Sequence, residues 1–210
     1  MTTYAARRRA IVVALIALHI ALPGGSSYAD GATETVGSLP DMPVIGLTVV
    51  SYEAFARHVT VRNPRVDPIY LRTVYEVYHD ECLREHVSLA VALAQMIHET
   101  DHLLFSGSVA PTQYNFAGLG VTGSGVAGER FFDIRTGIRA HVQHLKAYGD
   151  TADVASPIVD PRFRYVQRGS APTVNALTGR WATDPAYGPK VLAHAHRLIE
   201  LTGRGNEAES

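Results

Sequence analysis

Cysteine is almost missing from this chain. Cys82 is the only one, so no internal disulfide can form and stability must come from packing. Its position on an apolar helical stripe reads as a small core residue rather than a reactive thiol. Also lacking is any excess of basic charge. The 19 Lys and Arg stand against 20 Asp and Glu, for a net charge of −1, which argues against nucleic acid or an anionic bilayer as a partner. There is no internal repeat, no second compositional block, and no apolar run of the ~20 residues that a bilayer-spanning helix needs. With 46% hydrophobic and 19% charged residues, the chain falls in an ordinary globular class.

What is present begins with an export signature. Arg7, Arg8 and Arg9 precede a run from Ala10 to Leu22 that is apolar apart from His19. Pro23-Gly24-Gly25 and the small-residue site Ser27-Tyr28-Ala29 follow. This pattern reads as a secretory signal peptide over 1–29, with an uncleaved membrane anchor as the alternative. Cleavage removes three arginines and no acid, which takes the net charge from −1 to −4. Residues 30–43 are small and polar and read as a flexible leader. One domain is expected over 44–203, with a disordered tail over 204–210.

Helix starts are legible from Asp-Pro pairs, because Asp caps free N–H groups and Pro at the first helical position loses nothing. Asp67-Pro68 opens a helix through about Arg84, with Leu71, Val74, Tyr75, Tyr78 and Cys82 on one face. A shorter helix precedes it over 51–58. Ser88 caps a helix whose Leu89, Val91, Leu93, Met96 and Ile97 leave it apolar nearly all round, the mark of a central, buried element. Residues 106–128, rich in Gly, Ser, Thr and Pro, have no helical period and can hold short strands or a hairpin, or stay irregular. Helical patterning resumes over 136–148, with Gly149 as its stop. A short helix is expected after Asp160-Pro161, another over 173–177, and a last one from Asp184.

The chemistry gathers where the apolar helix ends, at His98, Glu99, Asp101 and His102. His98-Glu99-Thr100-Asp101-His102 matches the zinc-protease string H-E-x-x-H, in which two His at i and i+4 hold zinc and the Glu polarises its water. A third ligand is then required. The extended form of the motif needs Gly at position 105 and His at 108, where this chain has Phe105 and Ser108; Glu129 is available by spacing alone. The other reading is a general acid, since a Glu at the end of an apolar helix is desolvated and kept protonated near neutral pH.

Three ordered segments carry a resemblance that bears on this choice. Ala94-Gln95-Met-Ile-His-Glu99, Tyr114-Asn115-Phe116-Ala-Gly118-Leu-Gly120 and Gly179-Arg-Trp181-Ala-Thr-Asp184-Pro-Ala-Tyr187 resemble the landmarks of bacterial glucosaminidases of glycoside hydrolase family seventy-three, which cleave peptidoglycan. Gly137–Tyr148 and Val159–Phe163 resemble its secreted, single-domain members. The resemblance runs from about Ser51 to Leu201.

It implies a mainly α (α+β), lysozyme-like fold, with a central buried helix and a small irregular or β lobe forming a substrate cleft. It implies Glu99 as the catalytic acid of a secreted endo-β-N-acetylglucosaminidase that is periplasmic or associated with the cell wall. Tyr114, Asn115, Phe116 and Trp181 would meet the glycan. Tyr187 matches a family tyrosine near the scissile bond, or is a core aromatic. The partners implied are peptidoglycan glycan strands, with no nucleic acid, no membrane after cleavage, no cofactor, no metal ligand and a monomeric chain.

Three departures bear on mechanism. The family's usual Glu-Ser-Gly is Glu99-Thr100-Asp101 here, its first late tyrosine is Trp181, and the lobe over 121–130 is short. Two-carboxylate hydrolysis needs a partner for the acid. Glu129 is the only acid between Asp101 and Asp133, and the substrate's own 2-acetamido group is the alternative nucleophile. Two other functions stay open: a zinc peptidase through His98 and His102, and a non-catalytic glycan-binding relative. Cleavage of an amide bond in peptidoglycan is a further alternative. His141, His144, His194 and His196 read as partly exposed helical histidines without a role.

Overall fold

The computed structural model describes residues 39–208, apart from 122, 124 and 125. The signal peptide expected over 1–29, and the leader as far as residue 38, lie outside the described residues. Five helices form the body: α1 (Tyr52–Arg62), α2 (Pro68–Glu85), α3 (Leu89–Thr100), α4 (Ile134–Gly149) and α5 (Tyr187–Ala208). Single 3-10 turns lie at Pro111–Gln113, Phe163–Tyr165 and Asn175–Leu177.

Side-chain caps set the first four starts. Ser51 accepts from the N–H of Ala54, Asp67 from Tyr70, Ser88 from Val91 and Asp133 from Thr136, each contributing about 1 kcal/mol. Two of the expected starts fail to launch a helix in place. Asp160 accepts from Arg162 N at 2.8 Å and is followed only by the turn Phe163–Tyr165. Asp184 accepts from Ala186 N at 2.9 Å, so α5 starts three residues later than Asp184 suggests. The third expected short helix is likewise a single turn, Asn175–Leu177.

α3 is the centre. From Leu89 to Ile97 every residue is buried, against α5 on one side and α2 and α4 on the others. Each large apolar side chain taken fully out of water there contributes roughly 1.5–3 kcal/mol. Phe55 and Val59 of α1, Leu71, Val74 and Tyr78 of α2, Ile138 and Val142 of α4, and Val191 and Leu198 of α5 complete the core. Cys82 is buried among them, with its thiol pKa pushed up by burial, as a structural cysteine would be. An ion cluster on the buried Glu81 fixes α2 against α4: Arg135 donates to Glu81 at 2.8 Å, and Arg139 donates at 3.0 and 3.1 Å. Burial pushes the Glu81 carboxyl up, but Arg139 and Arg135 outweigh it and hold it below its ordinary value.

The lobe between α3 and α4 takes the irregular of its two expected forms. Among the described residues it contains no strand, and the only ladder contacts of the fold are three isolated bridges, Pro43 with Thr173, Ile45 with Val87 and Thr178 with Ala182. Side-chain amides do the work of a ladder. Gln113 accepts from Ala110 N at 2.8 Å and donates to Ala127 O at 2.6 Å. Asn115 donates to Leu119 O and Glu129 O and accepts from Leu119 N. The lobe is seated on α4 at Gly137, where a Cβ would fall 1.7 Å from the carbonyl oxygen of Tyr114.

Both ends of the body reach further than the composition suggests. Met42 and Val44 are buried, Val44 N donates to Pro172 O, and Val174 N donates to Met42 O. The last residues of the expected leader are therefore packed. At the other end α5 runs through Gly203 and Gly205 to Ala208, so the expected tail is helical that far, and Arg204 pairs with Glu200 one turn back. No helix among the described residues is long and apolar enough to cross a membrane. The outcome is the expected mainly α, lysozyme-like architecture with a small irregular lobe.

Candidate active site

Glu99 sits in the last turn of α3, and the chain after it is strained. Asp101, His102, Leu103 and Phe105 all have positive φ, between 49° and 63°, at a cost of about 1–2 kcal/mol per non-glycine residue. The turn is held from several sides. Thr100 Oγ1 donates to Met96 O and accepts from Leu103 N, while Asn63 donates to His102 O at 3.1 Å. Arg62 donates twice to Asp101 at 3.2 Å, and Ser106 donates to it at 3.0 Å. Asp101 thus turns away from Glu99, and its carboxyl is held low first by Arg62.

The Glu99 carboxyl lies at the edge of the core. Burial raises its pKa to about 7, against hydrogen bonding from Tyr187 and Trp181, which favours the charged form. Tyr187 donates to Oε1 at 2.6 Å. Behind it runs a dry chain of partners. Gln95 Nε2 donates to the Tyr187 oxygen at 2.7 Å, His141 Nε2 lies 2.8 Å from Gln95 Oε1, and Tyr78 Oη lies 2.8 Å from His141 Nδ1. Burial pushes His141 down to about 3, so it is neutral and carries one N–H. With Gln95 accepting, that hydrogen sits on Nε2, and Nδ1 accepts from Tyr78. Every hydrogen in the chain then points toward Glu99.

The second oxygen faces outward. A Cβ on Gly118 would lie 3.5 Å from Oε2, and Gly118 itself has φ of +63°, a conformation open to glycine. Both Glu99 and Gly118 line a cleft of about 740 Å³, together with Phe105, Val109, Trp181 and Thr183. A smaller depression of about 280 Å³ continues past Gly118 and Trp181 and is lined by Tyr148, Arg162 and Arg180. Trp181 stands between the two on a wall of His141, His144 and Tyr148, with ring centroids 5.0–5.8 Å away.

The residues expected at this site divide sharply. Glu99 and Trp181 line the cleft, and Tyr187 is buried beneath it, bonded to the acid. Asn115 and Phe116 do not reach it. Asn115 is buried with its amide committed to the backbone of Leu119 and Glu129. Phe116 is a core residue edge-on to Tyr78 and Phe105. Tyr114, at φ 50°, lines a separate hollow with Tyr70 and Ile134. The Glu129 side chain lies over Gly120, where a Cβ would fall 2.9 Å from its Cγ.

The zinc-protease string fails on geometry. α3 ends at Thr100 and His102 is left-handed, so His98 and His102 are not one helical turn apart on a common face. His98 instead stacks edge-on against Tyr187. His102 belongs to another group, with His58 and His194. His141 and His144, expected to be partly exposed, are both buried. His144 Nδ1 lies 2.7 Å from the buried Asp160. Gln95 and His141 were missed because a single Gln or His on a helix carries no signal of what it faces.

Comparison with known proteins adds a family. The model described as mannosyl-glycoprotein endo-beta-N-acetylglucosaminidase matches residues 75–200, from the middle of α2 into α5. A protein of Borreliella burgdorferi, itself described as uncharacterized, is 43% identical over 148 residues, which cover 70% of this chain and 72% of that protein. No solved structure matches.

Proposed function

The chain belongs to the glucosaminidase family of glycoside hydrolases, and we propose that it is exported and cleaves β-1,4 bonds on the N-acetylglucosamine side of peptidoglycan glycan strands. Glu99 is the general acid in this reading. The observation that carries it is the Glu99 carboxyl itself, raised to about 7 by burial and opening on the cleft through Oε2 beside Gly118. An acid with a pKa near working pH is half-charged with protons to give, the condition under which proton transfer is most effective.

With Tyr187 donating to Oε1, the acidic hydrogen resides on Oε2, toward the substrate. It passes to the glycosidic oxygen as the bond from the anomeric carbon to that oxygen breaks. Glu99 is the only carboxylate lining the cleft among the described residues, which favours the substrate's 2-acetamido oxygen as the nucleophile. That oxygen bonds to the anomeric carbon and closes a charged five-membered ring. Water then adds to the anomeric carbon, the ring opens, and the proton of the water returns to Glu99. In the alternative, Glu129 activates water directly.

Arg162 and Arg180 in the adjoining depression favour a glycan bearing carboxylates, as the lactyl and peptide groups of peptidoglycan do. The signal peptide read over 1–29 supports export to the compartment where that polymer lies.

Incubating the mature protein with purified cell walls tests the proposal. Fragments with N-acetylglucosamine at the new reducing end are expected, and Glu99→Gln should lower their release by about 10²–10⁴-fold with unchanged helical circular dichroism. A folded Glu99→Gln variant with wild-type turnover would overturn the assignment.

A further inference from the structure

At the turn that follows the acid's helix, three histidines from three elements meet: His58 on α1, His102 in the strained turn after α3, and His194 on α5. Their rings form a nearly equilateral triangle, with centroids 5.2, 5.3 and 5.5 Å apart. One ring nitrogen from each lies within 4.8 Å of the other two. His58 Nε2 and His194 Nδ1 are 2.9 Å apart. His102 Nδ1 is buried and makes no hydrogen bond, its approach to Asp101 Oδ1 being 3.6 Å, beyond hydrogen-bond reach.

As a hydrogen-bonded group this arrangement is incomplete. The one hydrogen bond between His58 and His194 engages a single nitrogen of each ring, and His102 Nδ1 is left an orphan in a place where orphans cost about 1–3 kcal/mol. As a set of ligands it is coherent. Imidazoles bound to one tetrahedral ion at about 2.0–2.1 Å place their ring centroids about 5 Å apart, close to the observed triangle. The rings come from three separate elements, so their convergence is not a by-product of helical spacing. They are also half-buried rather than sealed, which leaves an ion a way in.

We propose that His58, His102 and His194 form a binding site for a divalent transition metal of the imidazole-preferring class, zinc foremost, with water in the fourth position. The ion clamps α1 and α5 to the turn that ends α3. The site is distinct from the H-E-x-x-H reading, which would use His98, and it requires no part of the glycosidase reading.

The test uses the mature protein, prepared without a polyhistidine tag and stripped with chelator. Titration with zinc alone should show one saturable equivalent, and zinc should raise the melting temperature. Cobalt should give the visible absorption of a tetrahedral ion, and X-ray absorption of the zinc form should show imidazole scattering. His194→Gln and His58→Gln should each weaken binding by more than the roughly 10–100-fold lost with an outer-shell partner. His196→Gln, whose ring faces Pro40 O at the surface, should bind as wild type does. Absence of saturable binding by the wild-type protein overturns the proposal, as does undiminished binding by a folded His194→Gln. Should those variants not fold, zinc bound to the wild-type chain without imidazole scattering overturns it as well.

Discussion

The hydroxyl of Tyr187 lies 2.6 Å from Oε1 of Glu99 and, 2.7 Å behind, receives a hydrogen from Gln95. The phenol is thereby fixed as a donor to the acid. Of the two influences on Glu99, burial dominates and lifts the carboxyl, while Tyr187 pulls it back.

Removing that donor should move the acid further up. Tyr187→Phe is expected to shift the alkaline limb of the pH–rate profile upward from about 7, since the charged form loses its hydrogen bond. The Gln95 amide is left without its acceptor, at a cost of about 1–3 kcal/mol. A pH profile and a melting curve check the two parts separately. An unmoved limb would mean that Tyr187 does not set the acidity of Glu99.

Glu99 also implies a linkage between stability and pH. Its folded pKa, about 7, stands above the ordinary value of 4.5, so the folded state holds the proton more tightly than the unfolded chain. Its contribution to stability is fully present below pH 4.5 and is lost as pH rises through about 7. Glu99→Gln, neutral at every pH, should therefore be more stable than wild type above pH 8, by up to about 3 kcal/mol, and nearly equal to it at pH 4. Urea denaturation at the two pH values measures the difference.

Gln95→Leu tests the interior of the chain. The substitution leaves the Tyr187 oxygen without a donor and the His141 N–H without an acceptor, at roughly 2–4 kcal/mol for the two. A fall in melting temperature of about 5–15 °C is expected for a domain of this size. His141→Phe should cost a similar amount, because it leaves the Tyr78 hydroxyl without an acceptor and Gln95 Oε1 without a donor. Scanning calorimetry of the two variants compares the two halves of the chain.

Asp101 occupies the place where the resembling family usually has glycine, and its φ of 49° supplies the reason. The position demands a left-handed residue, which glycine adopts freely and aspartate tolerates. Here the Arg62 and Ser106 contacts offset the strain. Asp101→Gly should change stability by less than about 1 kcal/mol, whereas Asp101→Ala loses both contacts and keeps the strain, falling about 1 kcal/mol below the glycine variant. Chemical denaturation of the pair reads the backbone strain directly.

How far the sequence announced all this depends on the scale of the feature. The helices α2 and α3 were legible because Asp67 and Ser88 mark their starts by local capping, and α4 through the spacing of Ile138, Val142 and Leu145, its cap Asp133 emerging only in the fold. α3 was legible as the central element because Leu89 to Ile97 offers no polar face. Glu99 was reachable through its company at Trp181 and Tyr187. The lobe was legible only as irregular or β, because the glycine density that allows a hairpin equally allows a loop pinned by the Gln113 and Asn115 amides. Asn115 and Phe116 sit in a segment that resembles a binding loop, yet they carry it from beneath. The Gln95–His141–Tyr78 chain and the triangle of His58, His102 and His194 join residues 44 to 136 positions apart, and no local pattern encodes such a meeting.

The unbroken burial of α3 has one more consequence, in the time domain. Amide hydrogens in the middle of a helix enclosed on all sides exchange with solvent only when the whole domain opens. The acid rides on the last turn of that helix, so its backbone should be among the slowest to sample open states. On heating, catalytic competence and global structure should then vanish together, with no intermediate temperature at which a folded protein has already lost its acid.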